Sequence, residues 1–271
     1  MKYSKEGSQY GKKIVRPVKE FSKGELEVKV YGEEPDMGLA AAYHAEKYLQ
    51  SAIRERGTAS LILATGTSQF SFLENLKEAD VDWSKVTVFH LDEYIGIPES
   101  HPASFRRYLK ERILDIVSPG RVFLIDGDAS DIEAGMIEYA GHLISNPVDI
   151  ACIGIGENGH IAFNDPPVAD FNDPLLVKVV ELDHDCRMQQ LGEGWFPTLD
   201  DVPRKAVTLT IPAIIQSRAI SCVVPGERKR TAVDEALNGP LSEKCPASIL
   251  RSHPDATLFL DKQSFPDNQM I

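Results

Sequence analysis

The chain has 271 residues, 42% of them hydrophobic, and its 29 Lys+Arg against 41 Asp+Glu give a formal net charge of −12. That length and apolar content suffice for one large core or two small ones. An acidic surface with no basic stripe repels phosphate backbones, which argues against a nucleic-acid partner. No window approaches the apolar run of a membrane span, and Met1 to Tyr10 lacks the pattern of a secretory signal. Cys152, Cys186, Cys222 and Cys245 form no CxxC pair or metal-ligand spacing, so a reducing, cytoplasmic setting is expected, with Cys152 and Cys222 in the core.

Residues 1–24 read as an N-terminal arm, in which Lys2, Lys5, Lys12, Lys13, Arg16 and Lys19 outnumber Glu6 and Glu20. Residues 25–31 (ELEVKVY) alternate apolar and charged, as an edge strand does. Pro35-Asp36 then opens a helix whose Ala42, Ala45, Leu49 and Ile53 form one buried stripe, and Gly57 ends it. ASLILA (59–64) predicts a strand, TGTS a turn, and Phe72, Leu76 and Ala79 the inner face of a helix. KVTVFHL (85–91) predicts the next strand, Phe105, Leu109 and Ile113 a helix, RVFLI (121–125) a short strand, and Ile132, Met136, Tyr139 and Leu143 another helix. DIACIGIG (149–156) and AISCVV (219–224) are two more apolar runs, the second followed by a helix after Gly226. Strands apolar on both faces and separated by helical patterns specify an α/β fold with a mostly parallel sheet and helices on both faces. Residues 165–206 interrupt the alternation and read as a lid or cap inserted in a single domain spanning 25–271.

In such a sheet the working groups gather beyond the carboxyl ends of the strands. Thr65-Gly66-Thr67-Ser68 follows one apolar run; it suits either an anion or a plain strand–helix turn with a hydroxyl cap. His90-Leu91-Asp92-Glu93-Tyr94 ends the next, and a partly desolvated Asp92 would be a base able to take a proton from carbon beside a carbonyl, the alternative being a turn or cap. In Gly154-Ile155-Gly156-Glu157-Asn158-Gly159-His160-Ile161-Ala162-Phe163-Asn164-Asp165 the glycines imply a close backbone approach. Asp165, folding back, would orient His160 for proton transfer near neutral pH, the alternative being a structural histidine. The literal GxGxxG over 154–159 comes too late in the chain for a dinucleotide site. Lys229, in the GERKR run after Gly226, could meet an anion or face water, while His44, His101, His142 and His253 read as surface or capping groups. No HxxxH or HExxH occurs, so neither a metal nor another cofactor is expected.

Taken together and in order, LILATGTS (61–68), VTVFHLDEYIGIPESHPASFRRYL (86–109), GIGENGHIAFNDP (154–166), LDHDCR and PGERK resemble the glucosamine-6-phosphate deaminase (isomerase) family over about residues 35–260. The related 6-phosphogluconolactonases typically carry GHTASLFP where this chain has GHIAFNDP, and lack the DEY segment. The resemblance implies a Rossmann-like fold and conversion of an amino-sugar 6-phosphate to fructose 6-phosphate and ammonia without a metal. By position, Asp92 would carry the C2 proton to C1 and His160 would promote ring opening, with Asp165 polarising it and Asn158 in the place of a second acidic partner. Thr65, Gly66, Thr67, Ser68 and Lys229 would hold the phosphate. Asp165 stands where members usually have Glu. No Arg precedes a Phe-Phe pair, the chain reading Leu191-Gly192-Glu193-Gly194-Trp195-Phe196 there, so Arg187 is the candidate replacement and Glu93 a further candidate beside Asp92. The basic and Ser residues of the allosteric site are missing after Asp165, so activation by N-acetylglucosamine 6-phosphate is not expected. A lactonase-like sugar-phosphate hydrolase and a non-catalytic sugar-phosphate sensor are the alternatives. A homo-oligomer is compatible with all three; a membrane or nucleic acid is not expected.

Overall fold

The computed structural model describes residues 14–266. Eleven strands occur among them: β1 (Lys19–Lys23), β2 (Leu26–Tyr31), β3 (Ala59–Leu63), β4 (Val86–His90), β5 (Asp92–Tyr94), β6 (Arg121–Val122), β7 (Ile150–Ile153), β8 (Val177–Glu181), β9 (Lys205–Leu209), β10 (Ala219–Val224) and β11 (Ala256–Asp261). Eight form one sheet in the order β1-β2-β11-β10-β7-β3-β4-β6. Every neighbouring pair is parallel except β1 with β2. From β3 the chain winds outward to β4 and β6, then returns to lay β7 on the other side of β3. The direction of winding therefore switches between β3 and β7.

Alternation along β3 shows why these runs are apolar on both faces. Leu61 and Leu63 enter the core under helices Glu34–Arg56 and Phe70–Leu76, whereas Ile62 enters the opposite core with helices Ile132–Ser145 and Arg230–Asn238. Pro35 in the first turn starts the long helix, and Gly57, left-handed at φ 83°, ends it. Cys152 and Cys222 are fully buried in the central strands, and all four cysteines are free thiols. Among the described residues no helix is long and apolar enough to cross a membrane.

Three expectations are corrected. The arm expected over residues 1–24 is not arm to its end: Lys19–Lys23 is the outer strand, so the alternating run 25–31 is covered by β1 and is not an edge. Residues 1–13 lie outside the described residues. The strand expected over 121–125 pairs only at Arg121 and Val122, because Ile125 turns away to donate its N–H to His90 Nε2 at 2.7 Å. His253, expected as a surface or capping group, is not at the surface: it is 2% exposed, its Nδ1 accepts the Asp255 N–H at 3.1 Å as a turn cap, and its Nε2 lies 2.9 Å from the Ser217 carbonyl.

Segment 165–206, expected as a lid or cap, carries β8 and helix His184–Gly192 and ends at the start of β9; β8 and β9 join β5 in a second, antiparallel sheet of order β5-β9-β8. A separate aromatic core holds this cap down: the Tyr94 ring lies 4.8 Å from Phe105, 5.4 Å from Phe163 and 5.5 Å from Phe196.

The end of β4 is pinned by one side chain. Tyr139 donates its hydroxyl to the His90 carbonyl at 2.7 Å and accepts from the His90 N–H at 2.9 Å, all in the buried interior. Tyr139→Phe strips both backbone groups of their partner. It is expected to lower stability by about 1–3 kcal/mol in urea unfolding at unchanged m-value.

Candidate active site

The carboxyl ends of β3, β4, β7 and β10 open into one solvent-facing crevice, lined by Thr65–Ser68, Asp92, His160 and Lys229, with Gln189, Gln190 and Glu193 from segment 165–206 also on its wall.

Strand β5 sorts the two adjacent acids by its period of two. Asp92 faces the crevice, and Glu93 faces the other way. The Glu93 carboxylate is fully buried; it accepts from the Ser104 hydroxyl at 2.9 Å, the backbone N–H of Phe105 at 3.2 Å and of Arg106 at 2.9 Å, and Arg106 Nε at 3.3 Å. Arg106 also pairs with Asp126 and with Asp128 at 2.6 Å. Glu93 is therefore a helix-start anchor and not a site acid, correcting its candidacy. Asp92 is 7% exposed. Burial pushes its carboxyl well above the ordinary range, and the charges of Glu93 and Asp165 push the same way.

His160 is reached from β7 through the glycine run. A Cβ at Gly156 would stand 2.2 Å from the imidazole, so only glycine lets the ring fold back over the strand end. His160 Nδ1 lies 2.7 Å from Oδ1 of Asp165. The same oxygen accepts from the Asn158 amide at 2.9 Å, while Asn158 Oδ1 accepts from the His160 backbone N–H at 3.1 Å. Asn158 thus braces the aspartate rather than the ring. Burial acts to raise the Asp165 carboxyl, but the His160 contact and charge outweigh it, with Asn158 and the Cys186 thiol adding, and hold it below the usual range. The shorter Asp in place of Glu reaches the imidazole without a gap.

The loops after β3 and β10 are built alike. Gly66 at φ 99° and Gly226 at φ 88° each precede a single 3-10 turn that runs into a helix. Tyr108 donates to the Gly66 carbonyl at 2.8 Å, and the Gly226 N–H is held by the Asp261 carboxylate at 3.1 Å. The first loop offers three hydroxyls to the crevice and the second offers Lys229. Burial pulls the Lys229 ammonium down, opposed by the charges of Glu193 and Glu157.

Arg187 does not reach this end. Its guanidinium donates to the carbonyls of Leu199 and of Val202, the latter at 3.1 Å, tying the cap together, which corrects its proposed role at a phosphate. Gln189, Gln190 and Glu193 line the crevice without having been singled out; the one signal was the unusual LGEGWF stretch. His160, Asp165 and Cys186 bring potential cation ligands within 4.8 Å of one another. Burial and the carboxylates of Asp165 and Asp183 push the Cys186 thiol well up, and Asp165 already spends one oxygen on two donors.

Comparison with known proteins agrees with this geometry. Residues 33–259 match the family described as glucosamine-6-phosphate isomerases/6-phosphogluconolactonase. A glucosamine-6-phosphate deaminase of Bacillus thuringiensis (strain Al Hakam) is 35% identical over 218 residues, 80% of this chain and 81% of the relative. The solved structure of a monomeric glucosamine-6-phosphate deaminase superposes with a TM-score of 0.80 at 30% identity, covering 88% of this chain and 98% of that one. A 6-phosphogluconolactonase from Shewanella baltica OS155 shares the fold with a TM-score of 0.71 at 23% identity, over 86% and 97% of the two chains.

Glu93→Ala would strip the Ser104 hydroxyl and the N–H groups of Phe105 and Arg106 of their buried acceptor, while Arg106 keeps Asp126 and Asp128. A loss of about 1–3 kcal/mol in denaturant unfolding is expected, beyond the effect of an exposed acid.

Proposed function

The chain belongs to the glucosamine-6-phosphate isomerase/6-phosphogluconolactonase family, and from that premise we propose that it is a deaminase converting glucosamine 6-phosphate and water to fructose 6-phosphate and ammonia. The observation that carries the reading is the pairing of a buried, strongly basic carboxylate with a carboxylate-braced histidine across one crevice whose far end offers hydroxyls and a lysine.

The chemistry follows from where the protons must go. The closed sugar opens when its ring oxygen gains a proton and O1 loses one, and His160, oriented by Asp165, serves that exchange. Asp92 then takes the C2 proton and returns it to C1 on the same face, so one carboxylate performs both transfers. The product is a C2 imine, which water splits into the ketose and ammonia. Both steps gain from anchoring the distant phosphate on Thr65–Ser68 and Lys229, because a fixed substrate needs no further search for orientation. Asp92 has no C2 proton to remove in lactone hydrolysis, so ammonia release separates this reading from a hydrolase. Four free thiols suit a reducing compartment such as the cytoplasm.

Asp92→Asn is expected to cut ammonia release by about 10³-fold or more. The same change should raise Tm at neutral pH. A carboxyl whose folded pKa is raised loses stability as pH climbs through that value, and the amide removes the ionisation. Since Asp92 must be ionised to act, kcat/KM should fall on acidification at a pH above the ordinary carboxylate range, with the limb altered in Asp92→Glu. His160→Ala should lower kcat by about 10²-fold while changing KM little. A large loss of affinity with normal turnover would assign His160 to binding instead.

A further inference from the structure

One acid stands at the end of the crevice that should welcome an anion. Glu193 lies just past helix His184–Gly192 and lines the crevice with Thr65–Ser68 and Lys229. Its Oε2 is 3.9 Å from the point a Cβ on Gly66 would occupy, so the carboxylate reaches over the loop after β3. Gln189 Nε2 donates to Oε1 at 2.8 Å and Trp195 Nε1 to Oε2 at 3.1 Å. The Trp195 ring in turn packs edge-on against Tyr108, 6.2 Å between centroids, and Tyr108 is the residue bonded to Gly66. A closed circuit of contacts therefore aims Glu193 at the loop.

The charges around it are few. Among the described residues Lys229 is the one Lys or Arg that lines the crevice. Glu157 also faces Lys229 and is paired with Arg228 at 2.8 Å, while a Cβ on Gly192 would meet Arg228 at 3.2 Å. Asp92 and His160 line the same crevice. Tyr94, Tyr108 and Cys186 face this region as neutral groups, each pushed up by burial.

A phosphate dianion seated on the hydroxyls and Lys229 would set a bare oxygen against the Glu193 carboxylate, acceptor to acceptor. The monoanion carries a P–OH that can donate to it. We infer that Glu193 is a specificity-determining residue that makes the site select the proton-bearing, singly charged phosphate over the dianion. The inference rests on the phosphate-cradle reading above. The same rule rejects sulfate, which has the shape and charge but no proton to give.

The test is KM for glucosamine 6-phosphate between pH 6 and pH 8 in the wild-type protein and in Glu193→Gln, with inorganic phosphate and sulfate as competitors. A phosphate monoester loses its second proton near pH 6, so the monoanion falls from about half to about one-hundredth of the total over that range. Wild-type KM should rise by about 50-fold from this cause alone. Glutamine offers an N–H to the dianion, so the variant's rise should shrink to about threefold, and sulfate, excluded by the wild type, should compete as phosphate does. Ionisations of the substrate amine and of Asp92 occur in both proteins, so the ratio of the two profiles reports Glu193, directly and through the support its charge gives the Lys229 ammonium; weaker support in the variant would steepen its rise, opposite to the flattening expected here. Parallel profiles, or sulfate competing with the wild type as well as phosphate does, would overturn the inference. Failure of the cradle reading looks different: Lys229→Met would leave KM unmoved and neither anion would compete with either protein, which removes this inference as well.

Discussion

Three carboxylates, Asp92, Glu93 and Asp165, are buried beyond the carboxyl ends of β4 and β7, at 7%, 0% and 1% exposure. An unpaired buried anion is costly, so how each is compensated decides what each can do. Glu93 is matched by a hydroxyl, backbone amides and Arg106, and its charge is consumed in anchoring a helix. Asp165 is matched by His160, Asn158 and a thiol, and becomes an orienting group. Among the described residues no side chain pairs with Asp92, and two acids repel it. That imbalance is what supports its proposed role as the base. Its location follows from the pleat: one residue along β5 separates a structural acid from a reactive one.

The sheet supplies the rest by topology. Reversal of winding between β3 and β7 leaves their carboxyl ends without a crossover helix between them, which is where an α/β sheet opens. The ends of β4 and β10 flank that opening. The repeated turn after β3 and β10, a glycine at positive φ followed by one tight turn and a helix, then brings hydroxyls from one side and an ammonium from the other to the same end. Asp92 and His160 come from strands on either side of β3, which keeps the two proton carriers apart yet within one crevice.

Most of this was legible because the central strands are continuous apolar runs, and residues directly after such a run must lie at the strand's end. Asp92, His160, Thr65–Ser68 and Lys229 were found that way, and all line the crevice. Adjacent Glu93 could not be separated from Asp92 until β5 was known to be a strand, and three residues reading DEY carry no periodicity to announce one. The cap was legible only as an interruption. Its sheet pairs β5 with β9, more than 110 residues away, and β9 with β8, and its seat depends on Tyr94 meeting Phe163 and Phe196. Gln189, Gln190 and Glu193 are placed over the crevice by that long-range packing, which no local pattern encodes. Arg187 misled for the same reason: its charge was visible, but the carbonyls of Leu199 and Val202 that absorb it were not.

The balance of forces at the anion end is set over short distances. A chain with net charge −12 offers no long-range attraction to a phosphorylated sugar, and physiological salt screens what field there is beyond about 8 Å. Capture must then rest on hydroxyls, turn amides and one ammonium at contact range. Burial works against that ammonium, and the carboxylates of Glu193 and Glu157 are what oppose the loss. The acids that would repel a second negative charge are therefore the acids that keep Lys229 protonated while the crevice is empty. An incoming phosphate takes over as counter-charge to the lysine, so the site exchanges one anion for another instead of creating an ion pair from nothing. Exchange of this kind costs less desolvation than fresh pairing, because Lys229 has already left bulk water.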